Sequence, residues 1–203
     1  MKSLSEIETV SKRASRASGF EWGVAEEVGK NVRILEMLGI PGIKNLNHYL
    51  KIRVKNNFEK IDLIIQENKK TQLEYCPIMV GVNFIDQVRS LENLNEIKFE
   101  NLAYPTLFLP FVFRASEVIG KKILLKIDNR SFFLNYNSSV YSNSLNEGIV
   151  TIGNNIIIKF IENHDTFEEK EWKELYTLSE NTFVDENESL KQRGAGAGIN
   201  DND

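Results

Sequence analysis

The chain has 203 residues, 41% hydrophobic and 27% charged, with a net charge of −4. That size and composition allow one ordinary domain with a real core and exclude wholesale disorder. Acids and bases are mixed along the chain rather than blocked, which excludes the basic footprint of a nucleic-acid binder, and the single cysteine, Cys76, excludes an internal disulfide or a cysteine-rich metal site.

The opening residues, Met1-Lys2-Ser3-Leu4-Ser5-Glu6, lack the apolar core of a secretion signal. No run approaches the roughly 20 apolar residues of a bilayer span. A soluble cytoplasmic chain, with neither membrane nor nucleic acid as partner, is the expectation. Ser3 and Glu6 form a capping box, so a helix is predicted from about Leu4, with Ile7, Val10, Ala14 and Ala17 as a narrow apolar stripe ending at Gly19. A second helix is predicted from Glu21 to Leu38, closed by Gly39 and Pro41. Its core face is Val24, Ala25, Val28, Val32, Leu35 and Leu38. The opposite face carries Trp22, Glu26, Gly29 and Arg33, a set that a solvated surface seldom shows, so it is expected to pack on more protein or on a ligand.

Short helices are predicted near Asn45–Ile52 and Phe58–Glu67. From Cys76 onward the texture turns β-rich: 78–84, 106–113, 123–127, 132–136, 149–152 and 156–161. Asp128-Asn129-Arg130 and Gly153-Asn154-Asn155 read as hairpin turns, too short for helical crossovers, so the strands are antiparallel. A last helix is predicted over 167–179, with Trp172, Leu175 and Leu178 on its apolar side. The fold class is therefore α+β: N-terminal helices, a mostly antiparallel sheet, then a C-terminal helix and an extended tail. Residues 1–185 are expected to form one domain with a helical hairpin at 3–39, and 186–203 a tail.

Three separated motifs carry a resemblance. The first runs from Ser3-Leu4-Ser5-Glu6-Ile7-Glu8 through Arg16, Trp22-Gly23, Ala25-Glu26-Glu27, Gly29 and Arg33 to Gly39-Ile40-Pro41-Gly42. The second is Cys76-Pro77 with Gly81 and Asp86, and the third is Arg193-Gly194-Ala195-Gly196-Ala197-Gly198 with Asp201-Asn202-Asp203. Together they resemble a bacterial family catalogued only as a domain of unknown function. Lys12-Arg13-Ala14-Ser15-Arg16 departs from the family pattern, which is closer to Lys-Ala-Ala-Arg, and so points to Arg16 over Arg13. The resemblance implies a shared fold and supplies no reaction.

The tail reads as a fraying terminus, or as an extended segment that carries Asp201 and Asp203 into a groove near the Trp22/Glu26/Arg33 face. Guanidinium groups pair with carboxylates through two parallel hydrogen bonds, which makes Arg16, Arg33 and Arg193, with Trp22, the candidate substrate-binding residues. Glu26, Asp86, Asp201 and Asp203 are the candidate proton-transfer groups. A Glu26 buried beside Trp22 would have a raised pKa, whereas a first-turn glutamate in solvent would not. Cys76 reads as a buried thiol, and no metal or cofactor is assigned. Two functions stay open: a small enzyme acting on a polar anionic metabolite, or a non-catalytic binding module or subunit that completes a homo- or hetero-oligomeric site. A deep pocket with converging arginines and carboxylates favours the first; a flat apolar patch favours the second.

Overall fold

The Ser3 hydroxyl accepts from the Glu6 N–H at 3.1 Å and opens α1 (Leu4–Ala17). The structure is a computed structural model, and it describes residues 2–68, 70–135, 139–143 and 148–182. Gly19, at φ +93°, turns the chain back into α2 (Trp22–Met37), because that backbone conformation is strained for any residue with a Cβ. α3 (Gly42–Arg53) follows, and α2 buries Ala25, Val28, Val32 and Leu35 as expected.

The face of α1 turned toward α2 differs from the predicted stripe. Val10 is 59% exposed, while Ser11 and Ser15 are buried. Small hydroxyl side chains let the helices approach, and Gly29 completes the approach: a Cβ there would lie 2.7 Å from the Glu8 carbonyl oxygen. The supposedly odd face of α2 is thus the seam of the hairpin.

Two segments expected to be strands are helices. Cys76 caps α4 (Pro77–Leu91), its sulfur accepting from the Met79 N–H, and Pro77 sits in the first turn where no N–H is needed. Pro105 opens a 3-10 turn (Pro105–Leu107), and α5 (Leu109–Ile119) follows with Pro110 in its first turn and Gly120 as its left-handed stop. The stretches read as strands, 78–84 and 106–113, contain no exposed residue, so within them the one-sided pattern that marks a surface helix is lost. Gly81 is where they touch: a Cβ would come within 2.2 Å of the Phe111 ring. The reverse correction applies to 58–67, which has no helix. Its backbone is held by side chains of α4 instead: Asn83 Nδ2 donates to Ile61 O at 2.6 Å, and Gln87 Nε2 to Asp62 O at 2.9 Å.

The antiparallel sheet has β1 (Ile97–Phe99), β3 (Lys122–Ile127), β4 (Arg130–Asn135), β5 (Ser139–Ser142) and β7 (Ile156–Ile161) in the order β1-β7-β3-β4-β5. A separate small ladder pairs β2 (Leu102–Ala103) with β6 (Ile152–Gly153), so only the last residue of the predicted 149–152 strand is paired. The hairpin turn predicted at 128–130 joins the paired strands β3 and β4. The stretch 153–155 is not a hairpin, because β6 pairs with β2 while β7 joins the larger sheet. Asp128 Oδ1 holds that link by accepting from the Asn154 and Asn155 N–H groups at 3.0 and 2.9 Å. One sheet face, built from Ile123, Leu125, Ile127, Phe132, Leu134, Ile156 and Ile158, is buried.

Residues 1–163 and 164–203 form two separate compact units. The second contains α6 (Glu169–Glu180), opened by a capping box between Glu168 and Glu171. None of its residues is buried, and Trp172, Leu175, Tyr176 and Leu178 are all exposed. No helix among the described residues is long and apolar enough to cross a membrane.

Candidate functional site

The hairpin seam gathers several of the sequence candidates, and each is already partnered. Lys12 Nζ lies 2.5 Å from Glu26 Oε1, and Arg33 Nη1 lies 3.0 Å from Glu8 Oε2. Arg16 Nη1 donates to Phe20 O at 3.0 Å and stands 3.9 Å from Glu21 Oε2. Trp22 is 54% exposed, with Lys12 Nζ 5.7 Å and Arg16 Cζ 5.5 Å from its ring centroid. Glu26 is held below the usual carboxylate range, first by its hydrogen bond from Lys12 and then by the Lys12 charge. That is the direction of a structural ion pair, opposite to the raised pKa a buried acid would show. Asp86 is exposed on α4, and Arg193, Asp201 and Asp203 lie outside the described residues.

A second polar node links α2 to α5. Glu27 pairs with Arg114 and also with Lys30 at 2.9 Å, while Arg114 donates to Asn31 Oδ1 at 3.2 Å. Burial pushes the Glu27 carboxyl up, but the Lys30 and Arg114 hydrogen bonds outweigh it and leave the pKa lowered. The set ties α2 to α5, with the Asn31 Nδ2 group buried and without a described hydrogen-bond partner.

A different basic residue, Arg53, lines an open cleft beside the α1–α2 turn. α3 ends at Arg53, where a cation complements the helix's negative terminus. The chain then runs through Val54, Lys55, Asn56 and Asn57 to Phe58. These residues face the α1–α2 turn across an open cleft of about 570 Å³, lined by Ala17, Ser18, Gly19, Arg53, Val54, Asn56, Asn57 and Phe58. Arg53 is fixed from one side: its guanidinium carbon lies 4.0 Å from the Phe20 ring centroid. Its Nε is buried without a hydrogen-bond partner, and among the described residues no carboxylate pairs with Arg53. Arg53 is thus a cation held against an aromatic ring with no described carboxylate beside it.

Behind Arg53 lies the environment of Cys76. The thiol is free and buried, and the Tyr49 hydroxyl donates to its sulfur at 2.9 Å. Burial pushes the Tyr49 phenol far up, Cys76 adds to the rise, and Arg53 opposes it through its charge and a hydrogen bond. Phe58 and Tyr104 pack on the Tyr49 ring at 5.3 and 5.9 Å. Arg53 therefore connects the cleft to a closed aromatic and thiol cluster. Sequence reasoning missed Arg53, Asn56 and Asn57. The one available signal was their position, a polar run just past a helix end, since their types are common on any surface.

Residues 2–75 match the family described as "Protein of unknown function (DUF3726)". The three motifs together imply a domain of unknown function; the match takes in the first and not the Cys76-Pro77 or Arg193–Asp203 motifs. The matched stretch holds α1, α2, α3 and both walls of the Arg53 cleft, and it stops just before Cys76. No curated protein and no solved structure matches the chain. Among the described residues, no group of three His, Cys, Asp or Glu is placed to hold a metal ion.

Proposed function

We propose that this protein is a binding module for a small polar anion, taken up in the cleft between the α1–α2 turn and the end of α3. The observation that carries the reading is Arg53: braced on Phe20, unpaired with any described carboxylate, and opening on about 570 Å³ of polar space. That volume suits a metabolite-sized ligand, for which pockets run from about 300 to 1,000 Å³. Arg53 supplies the charge, and Ser18, Asn56 and Asn57 supply neutral donors and acceptors that fix orientation.

Binding is favoured over turnover because none of the lining residues is an acid or a histidine. Turnover of the same anion is a second reading, favoured by the Tyr49–Cys76 hydrogen bond that Arg53 links to the cleft. Calorimetric titration of the full chain with inorganic phosphate and with citrate tests the first reading. An Arg53→Met variant keeps the stem against Phe20 and removes the charge, and is expected to weaken binding by roughly ten- to a hundredfold, since a charge-assisted hydrogen bond is worth about 1.5–3 kcal/mol. Equal affinity of Arg53→Met and the parent, or no heat from either anion, overturns it. For the second reading, Tyr49→Phe is expected to slow turnover while leaving Kd within about twofold.

A further inference from the structure

The strand register collects a second charged surface that the sequence hides. On β3, β4 and β7 alternate residues face away from the buried side: Lys122, Leu124 and Lys126; Ser131 and Phe133; Ile157, Lys159 and Ile161. Cross-strand pairing sets them side by side. Tyr141 of β5 stands opposite Phe133, Phe133 opposite Leu124, and Leu124 opposite Lys159. In the next row Ser131 is opposite Lys126, Lys126 opposite Ile157, and Ile157 opposite Lys98. Leu124, Phe133 and Ile157 are partly buried, and none of them is among the residues packed on the core. Tyr141 is 64% exposed, its ring centroid 6.5 Å from that of Phe133.

The charge on this face is one-sided. Glu96 bridges Lys98 and Lys159 at 2.5 and 3.0 Å, whereas Lys122 and Lys126 have no ion-pair partner among the described residues. Four lysines thus meet two glutamates, Glu96 and the Glu67 set opposite Lys98, on a chain whose overall charge is −4. A sheet face with an apolar centre and cationic margin is rarely left bare.

We propose that the outer face of this sheet docks an acidic polypeptide segment of a partner protein. Apolar residues of that segment cover Tyr141, Phe133, Leu124 and Ile157, and its carboxylates pair with Lys122 and Lys126. Charge complementarity selects the acid. The apolar strip selects a peptide over a free anion, which would have nothing to place on Leu124 and Ile157. A nucleic acid fits less well, because the net negative charge of the whole chain repels a polyanion at long range while a short acidic segment approaches only this face.

Fluorescence anisotropy of a labelled nine-residue peptide alternating Glu with Leu and Phe, titrated with the full chain, tests the proposal. Saturable binding is expected, weakened by about tenfold or more in K122E/K126E and by a smaller factor in K122Q/K126Q, and falling as salt rises. The same peptide with Lys in place of Glu is expected not to bind. Both lysines lie on the surface and lack partners, so far-ultraviolet circular dichroism should show the variants folded. Three results overturn it: no binding by the parent chain, equal binding by K122E/K126E, or tighter binding of a twelve-residue oligothymidylate than of the acidic peptide. A doubling of mass with concentration that K122E/K126E abolishes would assign the face to a second copy and overturn it as well.

Discussion

Arginines of the hairpin and the arginine at the end of α3 sit on neighbouring elements and have opposite fates. Arg33 meets Glu8, and Arg16 meets the Phe20 carbonyl with Glu21 nearby, so both are used in joining the hairpin to itself. Arg53 lies against Phe20 and the Tyr49 hydroxyl, with no described acid in reach. The lesson is that an unusual residue in a motif is spent when its complement sits one helix away. A common residue becomes a candidate ligand group when its complement is missing.

The sharpest way to break this contrast is to remove each cation in turn. Arg53→Met is expected to cost anion binding about 1.5–3 kcal/mol, while Arg16→Met and Arg33→Met should leave Kd for citrate within about twofold. Calorimetry on the three variants decides it, and equal losses would erase the distinction between seam and cleft. Next in size is Gly29→Ala. The added methyl meets backbone at Glu8, which cannot swing aside, so overpacking of about 1–3 kcal/mol outweighs the roughly 1 kcal/mol gained in helix propensity. Urea unfolding should show a net loss of up to about 2 kcal/mol, and a gain in stability would mean the helices do not approach as closely as described.

A smaller effect is expected from Arg33→Gln, since an exposed pair contributes about 0.2–1 kcal/mol and salt screens it. Its loss should vanish in high salt if the contact is purely ionic. The mildest test is pH. The folded pKa of Glu26 is depressed, so its contribution to stability is present above its unfolded pKa and disappears as pH falls through the folded value. Acid titration followed by Trp22 fluorescence should show a step in the parent that Glu26→Gln lacks. The Arg53 cleft has no lining carboxylate and should show no such step of its own.

How much of this was legible in the sequence differs by element. The hairpin was readable because Ser3, Glu6, Gly19 and Gly39 punctuate it and its core face keeps helical spacing. The hairpin turn at Asp128 was readable from local chemistry alone, whereas 153–155 looks the same locally but joins strands of two different sheets. α4 and α5 were misread because 78–84 and 106–113 hold no exposed residue, which erases the amphipathic pattern there, and β-branched residues near Ile78 and Val112 then mimic strands. Of the candidate site, Trp22, Glu26 and Arg33 are exposed, and their described partners, Lys12, Arg16 and Glu8, all lie on α1. Gly29 and Gly81 stand out in the motifs for the room they leave to Glu8 and Phe111.

The sequence by itself determined the α+β order, the hairpin, the antiparallel connections and the absence of any cysteine pair, because each depends on neighbours within a few residues. Only the tertiary structure decided which cations keep a charge to offer. Whether Arg53, Lys122 or Lys126 finds an acid depends on elements far apart in the chain: the α1–α2 turn for one, the register of β3 against β4 and β7 for the others. Electrostatic pairing acts over a few ångströms of space, and linear distance along the chain carries almost no information about it.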